Sequence, residues 1–138
     1  MPKEKKSYNV FVIDDDSFLL DMYALKFSQK NFQVTSASGT LQALEKLRTG
    51  FVPDIIVVDL VMPTMDGFEF LEVVKKERLA ANALIIILSN LGQQEDIDRG
   101  LALGAAGYII KASATPSEVV AKVLETIEHK EAKELKNK

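Results

Sequence analysis

The chain has 138 residues, with 17 basic and 20 acidic side chains and a formal net charge of −3. This length fits one domain with a buried core, and the absence of cysteine excludes a disulfide framework, a zinc ribbon and thiol catalysis. Without a basic excess, a signal peptide or an apolar run of membrane-spanning length, we expect a cytoplasmic protein that binds neither nucleic acid nor membrane directly.

The first half of the chain alternates apolar strands with amphipathic helices. "YNVFVID" (8–14) and "FQVTSA" (32–37) are predicted strands. The helix between them has an inward face at the i, i+3, i+4, i+7 positions Leu20, Tyr23, Ala24 and Phe27. "GTLQALEKLRTG" (39–50) is predicted as a second helix that ends near Gly50 and points three leucines inward, Leu41, Leu44 and Leu47.

The same alternation continues to the end of the chain. "PDIIVVD" (53–59), "NALIIILSN" (82–90) and "GYIIKA" (107–112) are predicted strands, and 68–80 and 94–104 are predicted helices. The last helix has an entry signal in which Thr115 caps, Pro116 takes the first helical position and Glu118 completes a capping box. Its apolar stripe consists of Val120, Val123, Leu124 and Ile127.

Five β-α units with apolar central strands predict a doubly wound α/β fold, a parallel sheet covered by helices on both faces in three layers. We expect a disordered tail at 1–7 and one domain at 8–128. The charged segment 129–138 is a tail or an extension of the last helix. Fraying is the expectation for a terminus, and an extension would have Ala132 and Leu135 as weak inward positions.

Polar residues follow the predicted strands at their carboxyl ends, where ligands bind in open parallel sheets. They are Asp14, Asp15 and Asp16 on the first strand, Asp59 on the third, Ser89 and Asn90 on the fourth, and Lys111 on the fifth. If the first and third strands are neighbours, three carboxylates share one pocket and need either a proton or a cation. Mg²⁺ suits such oxygen ligands, while Lys111 and Ser89 suit an anion.

Each of these residues alone has a purely structural interpretation. Asp59 is a candidate turn cap, Asp16 or Ser17 a candidate cap of the first helix, Ser89 a loop hydroxyl and Lys111 a solvated strand end. Four polar contributions at one edge of the same sheet are hard to explain as independent caps. Their conjunction favours a binding site.

Four motifs, "VIDDDS", "VVDLVMPTMDGFEFL", "IIILSN" and "GAAGYIIKA", resemble in order and spacing those of the receiver domain of two-component response regulators. The similarity covers roughly Tyr8 to Ile127. It implies the flavodoxin-like (βα)5 fold with strand order 2-1-3-4-5. It also implies that Asp59 accepts a phosphoryl group from a phosphohistidine.

The resemblance further assigns a role to each residue of the site. Asp15, Asp59 and the backbone carbonyl of Val61 would bind Mg²⁺ directly, and Asp14 through a metal-bound water. Lys111 would pair with the phosphoryl group. The implied switch residues are Ser89, which closes on a phosphoryl oxygen, and Tyr108, the coupled aromatic side chain.

The implied partners are a sensor histidine kinase or histidine phosphotransfer protein and a downstream protein target. The target would bind the face formed by 94–104, "GYII" and the last helix. We expect a stand-alone signalling protein, a monomer or a weak phosphorylation-dependent homodimer. It would catalyse only its own phosphorylation and dephosphorylation and would not otherwise be an enzyme.

The chain departs from the family pattern at four positions. Ala112 replaces the usual proline after Lys111, and Asn90 replaces a very small residue and could narrow access to Asp59 or contact the phosphoryl group. Val61 and Leu91 are apolar where the family often orients a water, which predicts slow autodephosphorylation.

Three other functions compete with this prediction. The departures permit a pseudo-receiver that binds partners without phosphotransfer. A metal-dependent phosphohydrolase would need a carboxylate at position 61, where this chain has valine. A receiver separated from a DNA-binding output domain is the third. His129 is interpreted as a solvated residue, not a phosphodonor.

Overall fold

A computed structural model describes residues 7–136. In this range five parallel strands form a sheet in the order β2-β1-β3-β4-β5. The strands are β1 (Asn9–Ile13), β2 (Gln33–Ala37), β3 (Ile55–Val58), β4 (Leu84–Ser89) and β5 (Gly107–Ile110). The helices are α1 (Ser17–Ser28), α2 (Thr40–Arg48), α3 (Gly67–Lys76), α4 (Gln94–Ala102) and α5 (Pro116–Lys136). The predicted flavodoxin-like strand order is confirmed.

Helices cover both faces of the sheet because its central strands are apolar on both sides. Successive residues of a strand point to opposite faces. On one face Val10 and Val12 of β1 pack with α1 and α5, and on the other Phe11 and Ile13 pack with α2 and α3. The predicted three-layer sandwich is therefore confirmed.

The inward face of α2 differs from the prediction at one position. Leu41 is 52% exposed, whereas Thr40 and Ala43 are buried together with Leu44 and Leu47. An every-third-residue spacing drifts around a helix because one turn takes 3.6 residues. Burial here follows the i, i+3, i+4, i+7 positions instead, and the Thr40 hydroxyl donates to the Met65 carbonyl.

The end of α3 and the start of α5 are both determined by residues close to the boundary in the sequence. The predicted helix at 68–80 ends earlier, at Lys76, because Arg78 and Ala80 adopt positive φ angles of 56° and 45° that a right-handed helix excludes. The capping box of α5 is confirmed. The Glu118 amide donates to the Thr115 hydroxyl at 3.2 Å, and the Thr115 amide donates to the Glu118 carboxylate at 3.0 Å.

Helix α5 continues through Lys136 instead of fraying after Ile127. Its extension is attached to the domain, since Tyr8 donates to Glu131 at 2.7 Å and Lys130 donates to the Asn82 carbonyl at 3.1 Å. Ala132 and Leu135, the weak inward positions expected for an extended helix, are both exposed.

The predicted tail at 1–7 lies outside the described residues except for Ser7, whose hydroxyl donates to the Asn31 carbonyl at 2.9 Å. Among residues 7–136, no helix combines the length and the apolar character that a membrane crossing requires.

Candidate functional site

Strand ends bring three aspartates together. The parallel register aligns Ile13 of β1 with Val58 of β3, so that the next residues, Asp14 and Asp59, are neighbours at the carboxyl edge of the sheet. One carboxylate oxygen from each of Asp14, Asp15 and Asp59 lies within 4.8 Å of the others. The structure thus places these three residues in one cluster, as the sequence predicts.

Lys111 bridges the two buried carboxylates of this cluster. Its Nζ lies 2.6 Å from Asp14 Oδ2 and 2.7 Å from Asp59 Oδ2. Asp14 and Asp59 are both buried, whereas Asp15 is exposed. Lys111 belongs to a short 3-10 turn, Lys111–Ser113, that directly follows β5, so the strand ends at Ile110, two residues before the end of the predicted strand at 107–112.

Burial and hydrogen bonding act in opposite directions on these charges. Burial raises the pKa of the Asp14 carboxyl, and the opposing hydrogen bonds from Lys111 and the Asp16 amide do not fully offset it. Burial disfavours the charged form of Lys111, but hydrogen bonds to Asp14 and Asp59 outweigh this effect and raise the pKa of the lysine. Lys111 is therefore held as a fixed cation beside Asp59.

The turn after β3 fixes the position of Asp59. The Val61 amide donates to Asp59 Oδ1 at 3.2 Å, and the Gly67 amide donates to the Leu60 carbonyl at 2.9 Å. A Cβ atom at Gly67 would lie 2.4 Å from the Asp59 carbonyl oxygen and 2.7 Å from Leu60 Cα. The start of α3 consequently presses against the backbone of Asp59, which only glycine permits.

The predicted switch residues Ser89 and Tyr108 both contact the residue that follows Asn90. The buried Ser89 hydroxyl accepts from the Leu91 amide at 3.3 Å, and the Tyr108 hydroxyl donates to the Leu91 carbonyl. A Cβ atom added at Gly100 of α4 would lie 3.5 Å from the Tyr108 ring. Tyr108 thus connects the loop after β4 with α4.

An open cavity of about 510 Å³ gives access to this cluster. Asp15, Asp59, Val61, Asn90 and Lys111 are among the residues that line it. The Oδ1 atom of Asn90 accepts a hydrogen bond from the Ala112 amide at 2.9 Å across the cavity wall. A small anion can therefore reach both the Asp59 carboxylate and the Lys111 ammonium from solvent.

Residues 10–124 match the family model of the response regulator receiver domain. The chain belongs to this family. The receiver is 30% identical over 114 residues to the phosphate regulon transcriptional regulatory protein PhoB of Klebsiella pneumoniae, a match that covers 83% of this chain and 49% of PhoB. It is 30% identical over 109 residues to the chemotaxis protein CheY of Halobacterium salinarum, covering 78% of this chain and 88% of CheY.

The fold agrees with solved receiver structures. The chemotaxis response regulator CheY4 of Vibrio cholerae superimposes with a TM-score of 0.79 at 25% identity, over 88% of this chain and 99% of that one. The receiver spans about half the length of PhoB and most of the length of CheY.

The acidic cluster of this receiver fits a hard divalent cation by the chemistry of its donors. Three carboxylate groups supply oxygen ligands, and the exposed Asp15 leaves one side of the cluster open to solvent and phosphate. Asp14 and Asp59 each use one oxygen to bind Lys111. The contribution of the Val61 carbonyl stays a prediction, since the observed contact of Val61 with Asp59 is through its amide.

Two features of the receiver site were not predicted from the sequence. Gly67 permits the close contact of α3 with the backbone of Asp59, and no local sequence pattern identifies it for that role. For Asn90 the sequence predicts that it narrows access to Asp59 or contacts the phosphoryl group; the hydrogen bond of its Oδ1 with the Ala112 amide is an additional contact. The sequence does contain a signal for this hydrogen bond. Position 90 has an amide side chain that can accept, and position 112 has a residue whose backbone N–H can donate.

Proposed function

We propose that this receiver accepts a phosphoryl group on Asp59 in a Mg²⁺-dependent reaction and that the modification alters its protein-binding face. The observation that supports this most directly is the contact between Asp59 and Lys111, at 2.7 Å, on the wall of an open cavity. A buried carboxylate beside a fixed cation and two further carboxylates is suited to phosphoryl transfer, where positioning and electrostatics supply most of the catalysis.

The proposed donor is a phosphohistidine of a sensor histidine kinase or a histidine phosphotransfer protein. A carboxylate oxygen of Asp59 attacks phosphorus, the bond between phosphorus and the imidazole nitrogen breaks, and the leaving imidazole takes a proton from solvent. Lys111 offsets negative charge on the phosphoryl oxygens. Asp14, Asp15, Asp59 and the Val61 carbonyl would hold Mg²⁺, which when bound neutralises further charge at the phosphoryl group.

The chain would catalyse only its own phosphorylation and dephosphorylation. Its residues supply a nucleophile, a cation and metal ligands, whereas the phosphoryl group comes from a partner. Lys111 can exchange one carboxylate contact for a phosphoryl oxygen without leaving the pocket, because its Nζ already lies between Asp14 and Asp59.

The proposed output runs from Ser89 through Leu91 to Tyr108. The Ser89 hydroxyl, which accepts from the Leu91 amide, would donate its proton to a phosphoryl oxygen and move toward it; Tyr108 binds the carbonyl of the same Leu91. The altered surface would be the face of α4, β5 and α5. We propose that this face binds a downstream protein target, or a second copy in a weak phosphorylation-dependent homodimer, without direct contact to nucleic acid or membrane.

Signalling as a stand-alone cytoplasmic protein stays a prediction. The relatives include a regulator about twice as long as the matched region and a CheY of similar length. The proposed chemistry at Asp59 is the same for both architectures.

The test is intact-mass spectrometry after incubation with acetyl phosphate, with Mg²⁺ and with EDTA. We expect one phosphoryl adduct that requires Mg²⁺ and is absent in Asp59→Asn. Asp21→Asn, which changes an exposed aspartate on α1, is the matched control and should be modified like the wild type. A folded wild-type protein without an adduct would refute the proposal and support the pseudo-receiver.

A further inference from the structure

One hydrogen bond joins the loops that follow β4 and β5. Asn90 Oδ1 accepts from the Ala112 amide at 2.9 Å, across a separation of 22 residues. Asn90 directly follows Ser89, and Ala112 directly follows Lys111. The bond therefore links the positions next to two side chains that are proposed to contact the phosphoryl group.

The backbone that carries Lys111 has left the sheet. β5 ends at Ile110 and, within residues 7–136, lies at the edge of the sheet and pairs with β4 alone. Lys111–Ser113 form a single 3-10 turn in which the Ala114 amide donates to the Lys111 carbonyl at 3.3 Å. That bond is internal to the turn. The hydrogen bond from the Ala112 amide to Asn90 is the contact that joins the turn to the loop after β4.

The two residues are chemically complementary. Ala112 supplies an N–H donor, which a proline at this position would lack. Asn90 supplies the acceptor, and a backbone N–H donor requires the side-chain oxygen rather than the Nδ2 amide to face it. The two departures from the family pattern thus form a single interaction.

We propose that Asn90 is a positioning residue for Lys111. By holding the Ala112 amide, it fixes the 3-10 turn so that Lys111 Nζ stays between Asp14 and Asp59, where it can receive a phosphoryl oxygen. The proposal rests on phosphoryl transfer to Asp59. Asn90 acts through the turn and contributes no group to the reaction itself.

The first experiment needs no phosphorylation. Hydrogen exchange of the Ala112 amide is measured by NMR in the wild type, Asn90→Ala and Asn82→Ala, where the control removes an exposed asparagine side chain outside the cavity. We expect roughly five-fold faster exchange in Asn90→Ala, the size expected for one neutral hydrogen bond, and no change in the control. Equal exchange in all three proteins would overturn the proposal.

The second experiment is a double-mutant cycle on the initial rate of phosphorylation by acetyl phosphate with Mg²⁺. We expect Asn90→Ala to slow the reaction roughly five-fold in the wild-type background and to have no effect in the Ala112→Pro background, which already lacks the donor. The same slowing in both backgrounds would overturn positioning through Ala112 and favour a direct contact of Asn90 with the phosphoryl group.

The two experiments separate the possible failures. If the wild type is not phosphorylated although its Ala112 amide is protected by Asn90, the proposed function fails while the attachment of the turn stands. If Ala112→Pro does not fold, as judged by circular dichroism, the comparison of Asn90→Ala with Asn82→Ala in both measurements decides. Unchanged phosphorylation in Asn90→Ala would then refute the positioning role.

Discussion

At the scale of single residues, the acidic pocket buries two carboxyl groups, and burial disfavours the charged form of such groups. Asp14 and Asp59 are both buried, and Lys111 contacts each of them. An ionised carboxylate is retained in such a place only with charged or hydrogen-bonded partners. The raised pKa of Asp14 indicates that its partners do not fully offset the cost of burial.

We expect Asp14→Asn to raise the free energy of unfolding at pH 7 in EDTA by on the order of 1 kcal/mol, because it removes a buried charge. A raised pKa means that the folded state binds the proton more tightly than the unfolded state. The wild type therefore loses stability as the pH rises from the unfolded pKa through the folded pKa of Asp14. The advantage of the variant should accordingly shrink at acidic pH.

Urea denaturation at pH 7 and at pH 4 measures this effect. Asp15→Asn is the control, since Asp15 belongs to the same cluster but is exposed. A variant no more stable than Asp15→Asn at pH 7 would contradict the expectation.

Two apolar residues next to the pocket predict a slow loss of the phosphoryl group. Val61 is 56% exposed on the cavity wall, and Leu91 follows Asn90. Neither side chain can hydrogen-bond a water that attacks phosphorus. We expect a longer half-life of the aspartyl phosphate than in Val61→Asn/Leu91→Glu, measured as phosphate release after removal of the donor. A shorter half-life in the unmodified sequence would refute this.

At the scale of elements, the junction between β3 and α3 determines where Asp59 lies. Asp66 caps α3 through the Glu69 amide at 2.9 Å, and the helix begins at Gly67 in contact with the backbone of Asp59 and Leu60. The neighbouring Thr64 adopts a positive φ of 71°. The tight turn is thus stabilised by a cap on one side and by close backbone packing on the other.

We expect Gly67→Ala to lower the free energy of unfolding by about 2 kcal/mol, because the nearest atoms to the new methyl group are backbone atoms that cannot rotate away. The displaced strand end should also slow phosphorylation of Asp59. Urea denaturation and acetyl phosphate kinetics measure the two effects.

The control for this variant is Gly92→Ala. A Cβ atom at Gly92 would meet only Ile110 Cδ1, at 3.4 Å, which is an ordinary contact. Similar losses of stability in both variants would show that the close approach at Gly67 is not responsible.

At the scale of the whole molecule, contacts between distant parts of the chain attach the end of α5 to the domain. Tyr8 and Glu131 are separated by 123 residues and hydrogen-bond at 2.7 Å. Burial, and then the hydrogen bond and negative charge of Glu131, raise the pKa of Tyr8 to about 12. The Tyr8 ring also packs near Phe32, with a centroid distance of 6.0 Å.

We expect Tyr8→Phe to lower the free energy of unfolding by about 1 kcal/mol at pH 8, since the ring is kept and only the hydrogen bond to a charged acceptor is lost. Because the folded pKa is raised, the contribution of the Tyr8 hydroxyl is fully present below the unfolded pKa of about 10 and is lost as the pH rises through about 12. Urea denaturation at pH 8 and at pH 11 should show the difference between the two proteins shrinking. A constant difference would contradict this assignment.

Much of this molecule was predicted from the sequence by itself. Strands and helices were identified because their signals, the runs of apolar residues and the i, i+3, i+4, i+7 spacings, lie among residues that are close along the chain. The capping box of Thr115 and Glu118 is equally local. The acidic cluster followed from one further rule, that the carboxyl ends of parallel strands share one edge of a sheet.

Only the tertiary structure decided how residues far apart in the sequence touch. The bridge of Lys111 between Asp14 and Asp59, the bond from Ala112 to Asn90 and the contact of Gly67 with the Asp59 backbone each join different loops or elements. The exposure of Leu41 likewise depends on which neighbours α2 meets. Such contacts are set by the packing of whole elements to within an ångström, whereas the pattern of one segment determines only which of its faces is apolar.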